Sequence, residues 1–222
     1  MALQNSVQLP LEYLIRPGTG EKGPYPCLFM LHGYGSNEAD LFSFAAELPQ
    51  ELCIISLRAP YDLQPFGHAW YAINFESSQG KWNDVPQAVE SRDLVLNTID
   101  LAIAGYDLDP ERISLLGFSQ GSILSYSLAL SYPDRVKSLI ALSGYIDPEM
   151  LVKGFTSGDL TQLQIYASHG QVDPIIPSAW AQESVAFLKS HGITVTYEEY
   201  PVGHGVSAAN LSSFKRWMAD KY

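Results

Sequence analysis

The stretch ISLLGFSQGSIL, residues 113–124, decides how this chain is read. Its centre, Gly117-Phe118-Ser119-Gln120-Gly121, fits the pattern G-x-S-x-G. Five letters alone are a weak signal, because the pattern carries meaning in a strand–turn–helix setting. That setting is present: residues 112–117 (RISLLG) are strand-like, and 120–131 (QGSILSYSLALS) read as a helix. Ser119 is therefore expected on the turn between them. Gly117 and Gly121 lack Cβ atoms, so strand and helix can approach closely. The first N–H groups of a helix have no internal partner and carry the positive end of its dipole. A negative oxygen forming beside Ser119 would meet the N–H of Gln120, which favours a nucleophile over a structural serine.

Outward from this turn, short apolar runs alternate with longer amphipathic ones. Strands are expected near 10–16, 26–32, 53–57, 112–117, 138–143, 162–168 and 193–200. Helices are expected near 37–48, 86–104, 120–131, 177–190 and 207–220, the last with Ala208, Leu211, Phe214 and Met218 at helical spacing. Strands separated by helices predict an α/β fold, a mostly parallel doubly wound sheet with helices on both faces. The alternation begins only at 26–32, so the first strand is expected antiparallel at one edge. No repeat interrupts residues 1–222, which read as one domain with no large lid.

One segment breaks the rhythm, RAPYDLQPFGHAWYAINFESSQGKWNDV, residues 58–85. Long irregular loops in compact domains are usually functional or disordered. Tyr61, Phe66, Trp70, Tyr71, Phe75 and Trp82 are too aromatic to be left in water. The segment is expected as an ordered wall over the sheet's C-terminal edge, where open α/β sheets bind ligands.

A serine hydroxyl is a weak nucleophile and needs a base, itself oriented by an acid, in the chain order Ser, acid, His. Of five histidines, His32 and His68 precede Ser119. His191 sits in KSHGI at a helix end, where a solvated cap is expected. His169, in YASHGQVDP, reaches the right edge of the sheet, and His204, in EYPVGHGVS, follows the last strand. His204 is the better base, because it leaves the preceding loop to donate the acid. That acid is read as Asp173, with Asp147 (GYIDPEM) and Asp159 (TSGDL) as competitors whose default role is to cap turns. A second oxyanion donor is sought in FMLHGYGSNEADL, where His32-Gly33-Tyr34-Gly35 partly matches an HGGG-type loop. The backbone N–H of Tyr34 would serve there.

At a formal charge of −11 the chain would be repelled by a nucleic-acid duplex or an anionic bilayer, so nucleic-acid partners are not expected. No apolar run approaches the length of a membrane helix, and the start, MALQNSVQLPLEYLIRP, lacks a basic region followed by an apolar one. Cys27 and Cys53 lie in apolar strand-like runs and are expected as buried packing thiols, with a disulfide or a catalytic cysteine as the alternative. A cytoplasmic protein is expected, although a mature secreted chain would look similar.

Several patterns lead elsewhere and are set aside. GTGEKG (18–23) fits G-x-G-x-x-G but runs into Pro24, Pro26 and a strand, so no helix N-terminus awaits a pyrophosphate. Asn210-Leu211-Ser212 is a glycosylation sequon inside an expected helix. No H-E-x-x-H, C-x-x-C pair or P-loop supports a metal or nucleotide site.

Across most of its length the chain resembles the phospholipase/carboxylesterase family of small α/β-hydrolases, which includes the acyl-protein thioesterases. The resemblance is carried by LHGYG (31–35), WY (70–71), ERISLLGFSQG (111–121), LSGY (142–145), HGQVDPIIP (169–177) and Tyr200 through His204. It implies an α/β-hydrolase fold, a catalytic Ser119, Asp173 and His204, oxyanion donors from the backbones of Tyr34 and Gln120, and neither metal nor cofactor. The family often carries Arg-x-Trp-aromatic-Asp in the long loop. Here the stretch is His68-Ala69-Trp70-Tyr71-Ala72, so the charge pair is missing while Trp70 and Tyr71 can still wall an acyl pocket.

The expected activity is that of a serine carboxylesterase on small acyl esters of short to medium chain length, since no lid insertion covers a lipid chain. Thioesters and lysophospholipids are alternative substrates. From other classes, an acyltransferase or a non-catalytic binding module could use the same fold. A homodimer is compatible with the sequence.

Overall fold

In a computed structural model, residues 7–19, 23–74, 83–219 and 221 are described. In chain order the strands are β1 (Tyr13–Arg16), β2 (Tyr25–Leu31), β3 (Cys53–Leu57), β4 (Tyr61–Asp62), β5 (His68–Ala69), β6 (Leu108–Phe118), β7 (Ser138–Leu142), β8 (Gln164–Gly170) and β9 (Thr194–Tyr200). The helices are α1 (Ala39–Phe42), α2 (Val85–Tyr106), α3 (Gln120–Ser131), α4 (Ser178–Ser190) and α5 (Ala208–Ala219). Seven strands form one sheet in the order β1-β3-β2-β6-β7-β8-β9, and β4 and β5 form a separate hairpin. β1 is antiparallel to β3 at the edge, and the other neighbours in the sheet are parallel. This is the expected α/β-hydrolase arrangement.

Alternation along β2 divides the core. Cys27, Phe29 and Leu31 pack with Ile99 of α2, Leu128 of α3 and Leu188 of α4 on one face. Leu28 and Met30 pack with Leu41 of α1 and Phe214 and Met218 of α5 on the other. Both faces being covered explains why the central strands read as unbroken apolar runs. α3 is buried along its whole length apart from Ser131, which is half-exposed. Cys27 and Cys53 are buried free thiols, opposite one another on β2 and β3. Among the described residues, no helix is long and apolar enough to cross a membrane.

Two expectations are corrected. The helix expected over 37–48 is a short α1 followed by a 3-10 turn at Ala45–Glu47. The Arg16 guanidinium donates to the carbonyls of Ala45, Leu48, Pro49 and Leu52 (3.2 Å to Leu48 and 3.0 Å to Leu52), drawing them out of a helical path. Phe66, expected to be withdrawn from water, is 79% exposed at the tip of the β4–β5 hairpin. Of the loop's other aromatics, Phe75 and Trp82 lie outside the described residues, as do residues 20–22 of GTGEKG and residue 220 of the last helix.

Asn210, the sequon asparagine, is 3% exposed in α5. Its Oδ1 accepts from Ser168 Oγ and its Nδ2 donates to Tyr166 Oη, both at 3.0 Å. Both ends of that amide join the helix to β8.

Candidate active site

Ser119 lies between β6 and α3 with φ 53° and ψ −118°. A non-glycine residue held there stores of the order of 1–3 kcal/mol of backbone strain, which the surroundings must over-determine. They do so through Ser119 N donating to Leu142 O (2.9 Å) and Ser119 O accepting from Ile123 N (3.1 Å). Close packing of α3 completes the constraint. A Cβ on Gly121 would stand 2.0 Å from Leu31 O, and one on Gly117 2.5 Å from Gly121 O.

The loops after β8 and β9 bring two partners to this serine. His204 Nε2 is 2.8 Å from Ser119 Oγ, and His204 Nδ1 is 2.7 Å from Asp173 Oδ2. The imidazole packs on Phe118, ring centroids 5.0 Å apart. The Asp173 side chain is wholly buried, and its Oδ1 accepts from Ile175 N (2.8 Å) and Ile176 N (3.0 Å). Burial, the largest influence, pushes its carboxyl up. The hydrogen bonds from His204, Ile176 N and Ile175 N outweigh that, so the group is held below the usual carboxylate range. The competitors stay apart: Asp147 and Asp159 each cap a short 3-10 turn through Glu149 N and Thr161 N.

The other histidines have separate places. His169 is buried with Nε2 2.8 Å from Ile176 O and 3.3 Å from Asp173 Oδ2. It braces the loop that carries Asp173 without reaching Ser119. His191 ends α4, half-buried, its ring 4.3 Å from that of Phe187, where a solvated cap was expected. His32 is buried; its Nε2 accepts from Ala59 N (3.1 Å), and burial pulls its pKa down. His68 faces Asp62 across the β4–β5 hairpin.

A cavity of about 210 Å³ opens beside Ser119 and His204. Tyr34 and Gln120 border it next to the serine. Gln120 is the first residue of α3, so its N–H has no intrahelical acceptor. In the 33–36 turn the Gly35 N–H is already donated to His68 O (2.9 Å). Ile73, Ile123, Ile175, Ile176 and Trp180 supply apolar wall. A cleft of about 330 Å³ adjoins it through Asn83, Tyr145 and Trp180, and larger ones of about 620 and 740 Å³ lie elsewhere; none of the three contains Ser119 or His204.

The two aromatic residues expected as a pocket wall divide. Tyr71 lines the cavity, whereas Trp70 lies behind it, fully buried, with Nε1 donating to His32 O at 2.8 Å. What holds them is a contact the motif did not suggest. The buried Gln120 side chain accepts from Trp70 N through Oε1 (2.9 Å) and donates to Tyr71 O through Nε2 (2.8 Å). The Gln of GFSQG thus belts the long loop to the elbow, and its identity within the motif was the available signal.

Residues 19–220 match the family model described as Phospholipase/Carboxylesterase. The chain is 25% identical over 196 residues to acyl-protein thioesterase 1 of Mycosarcoma maydis, covering 80% of each chain. It is 21% identical over 210 residues to the putative hydrolase MhqD of Bacillus subtilis, covering 95% of this chain and 98% of that one. A crystal structure of a Bacillus cereus carboxylesterase superposes with a TM-score of 0.82 at 21% identity, covering 96% and 95% of the two chains, a likeness of fold. With its sheet, its elbow and a match spanning nearly all its length, the chain belongs to the phospholipase/carboxylesterase family of α/β-hydrolases.

Proposed function

We propose that the chain is a serine carboxylesterase that cleaves small acyl esters of short to medium chain length through an acyl-enzyme. The observation that carries this reading is the unbroken hydrogen-bonded line Ser119 Oγ–His204 Nε2 (2.8 Å) and His204 Nδ1–Asp173 Oδ2 (2.7 Å) beside a cavity of about 210 Å³.

In the first half-reaction His204 Nε2 takes the Ser119 proton as Oγ bonds to the ester carbonyl carbon. The carbonyl π electrons move onto oxygen, facing the N–H groups of Gln120 and Tyr34. Losing one such donor typically costs about 3–4 kcal/mol of transition-state stabilisation. Collapse expels the alkoxide, which takes the proton from His204. In the second half, His204 deprotonates water, the hydroxide adds to the acyl carbon, and Ser119 Oγ leaves with the returned proton. Asp173, kept ionised, holds the imidazole's tautomer and balances the imidazolium in both halves.

The cavity's volume, about 210 Å³ against the roughly 300–1,000 Å³ of pockets for drug-sized ligands, supports the short acyl range. Thioester cleavage is the second reading, favoured by the name of the Mycosarcoma maydis relative; it would use the same residues. The test combines fluorophosphonate labelling with a panel of oxygen esters of graded length, thioesters and lysophospholipids. Ser119→Ala is expected to lose labelling and about 10⁶-fold in kcat. Full activity in folded Ser119→Ala protein would sink the assignment, and an added alcohol acceptor would expose acyl transfer by its ester product.

A further inference from the structure

The cavity beside Ser119 is not uniformly apolar, because two phenols, Tyr71 and Tyr145, share its wall with the isoleucines. Tyr71 is fully buried, yet its hydroxyl has no hydrogen-bond partner. Native structures rarely leave a buried hydroxyl unpaired without a reason. Tyr145 Oη accepts from Asn83 Nδ2 at 2.8 Å, which leaves its own proton for another acceptor. Neither phenol gives that proton up readily. Burial first, then the neighbouring Tyr145 and Asp147, raise Tyr71 far above the ordinary phenol range, and burial likewise raises Tyr145.

The surroundings say what kind of acceptor fits. No lysine or arginine lines this cavity among the described residues. Asp147, whose Oδ2 accepts from the same Asn83 amide at 3.0 Å, sets a negative charge behind the wall. A carboxylate in the cavity would face that charge with no lysine or arginine to offset it. A neutral oxygen would meet no such repulsion.

We propose that the acyl pocket selects short acyl groups bearing a neutral hydrogen-bond-accepting oxygen, a ketone or an ether, with Tyr71 Oη and Tyr145 Oη as the donors. The proposal rests on the esterase reading and names the substrate class of that same site. Tyr71 and Tyr145 are specificity-determining residues here and take no part in bond making. A hydrocarbon acyl group of the same shape would fill the cavity and leave both protons unpaired.

The experiment compares p-nitrophenyl esters in isosteric pairs, each rate divided by that ester's hydroxide-catalysed rate. Levulinate is set against isocaproate, which has a methyl group in place of the ketone oxygen, and methoxyacetate against butyrate. In the wild type the oxygen-bearing member of at least one pair is expected to have a kcat/KM about tenfold higher, the scale of one neutral hydrogen bond completed in a buried site. Tyr71→Phe should bring that ratio close to one, and Tyr145→Phe should lower it. Since the Tyr71 hydroxyl has no partner to lose, Tyr71→Phe should melt no lower than the wild type. Ratios near one for both pairs, a ratio surviving in Tyr71→Phe, or a fall in its Tm or failure to fold would each overturn the inference. Ester turnover with intact Ser119 labelling would leave the esterase reading standing in those cases. Absence of both turnover and labelling would remove the two together.

Discussion

Gln120→Glu isolates the belt between elbow and long loop, since it changes one atom in a side chain that is 2% exposed. A protonated glutamic acid can reproduce both contacts, accepting from Trp70 N and donating to Tyr71 O. The carboxylate keeps the first but turns the second, now a 2.8 Å N–H bond, into an oxygen–oxygen repulsion inside the core. The folded-state pKa of this glutamate must therefore rise above its unfolded value of about 4.3. A raised carboxyl leaves the variant near wild-type stability below that value and weakens it as pH rises toward the folded pKa. The deficit grows by about 1.36 kcal/mol per pH unit; if the group stays protonated to pH 7, roughly 2.7 units higher, it reaches about 3.7 kcal/mol. For a chain of this size that is a Tm lower by about 7–15 °C. Urea unfolding followed by tryptophan fluorescence should show the gap between variant and wild type widening by about 2 kcal/mol from about pH 5.5 to pH 7. An equal gap at both pH values, or no gap at pH 7, would refute the belt.

Asp173→Asn should keep the bonds from Ile175 and Ile176 to Oδ1 but lower kcat on esters by about 10⁴, because the amide favours the wrong imidazole tautomer. As Asp173 is held below its usual range, the stability it adds is present above about pH 3.9 and lost as pH falls through the folded value, so the stability gap to this variant should narrow in acid. Gly121→Ala puts a Cβ 2.0 Å from Leu31 O and should give misfolded or insoluble protein, whereas Gly205→Ala, with nothing within 4 Å, should melt within about 0.5 kcal/mol of wild type. Arg16→Met leaves the carbonyls of Leu48 and Leu52 without their donor; hydrogen exchange should speed up across 45–52 with kcat on esters unchanged.

Where the chain's local pattern and its tertiary surroundings agree, the fold was legible. β3 and α3 fall on the residues their periodicity marks, and β1 takes the antiparallel edge that its place before the alternation implied. Ser119, Asp173 and His204 could be singled out because each follows a strand in the order a hydrolase sheet demands. What stayed hidden depends on distant partners. The 37–48 segment is apolar at helical spacing, and Leu41, Ala45 and Leu48 are indeed buried, but an arginine from β1 claims its carbonyls. Trp70 and Tyr71 sit at a bend just past β5, so no strand alternation foretold that one would line the cavity and the other go to the core. The side-chain role of Gln120 and the bracing by His169 need the loops assembled before they exist at all.

The buried amide of Asn210 has a consequence for how this protein can be made. Oligosaccharide transfer to Asn-x-Ser acts on a side chain as the chain emerges, before burial can protect it. A sugar on Asn210 would forbid the contacts to Ser168 and Tyr166 and push α5 off the sheet, carrying Phe214 and Met218 with it. Expression through a eukaryotic secretory route should therefore yield glycosylated, unfolded chains, and Ser212→Ala, which destroys the acceptor sequence while sparing Asn210, should restore them.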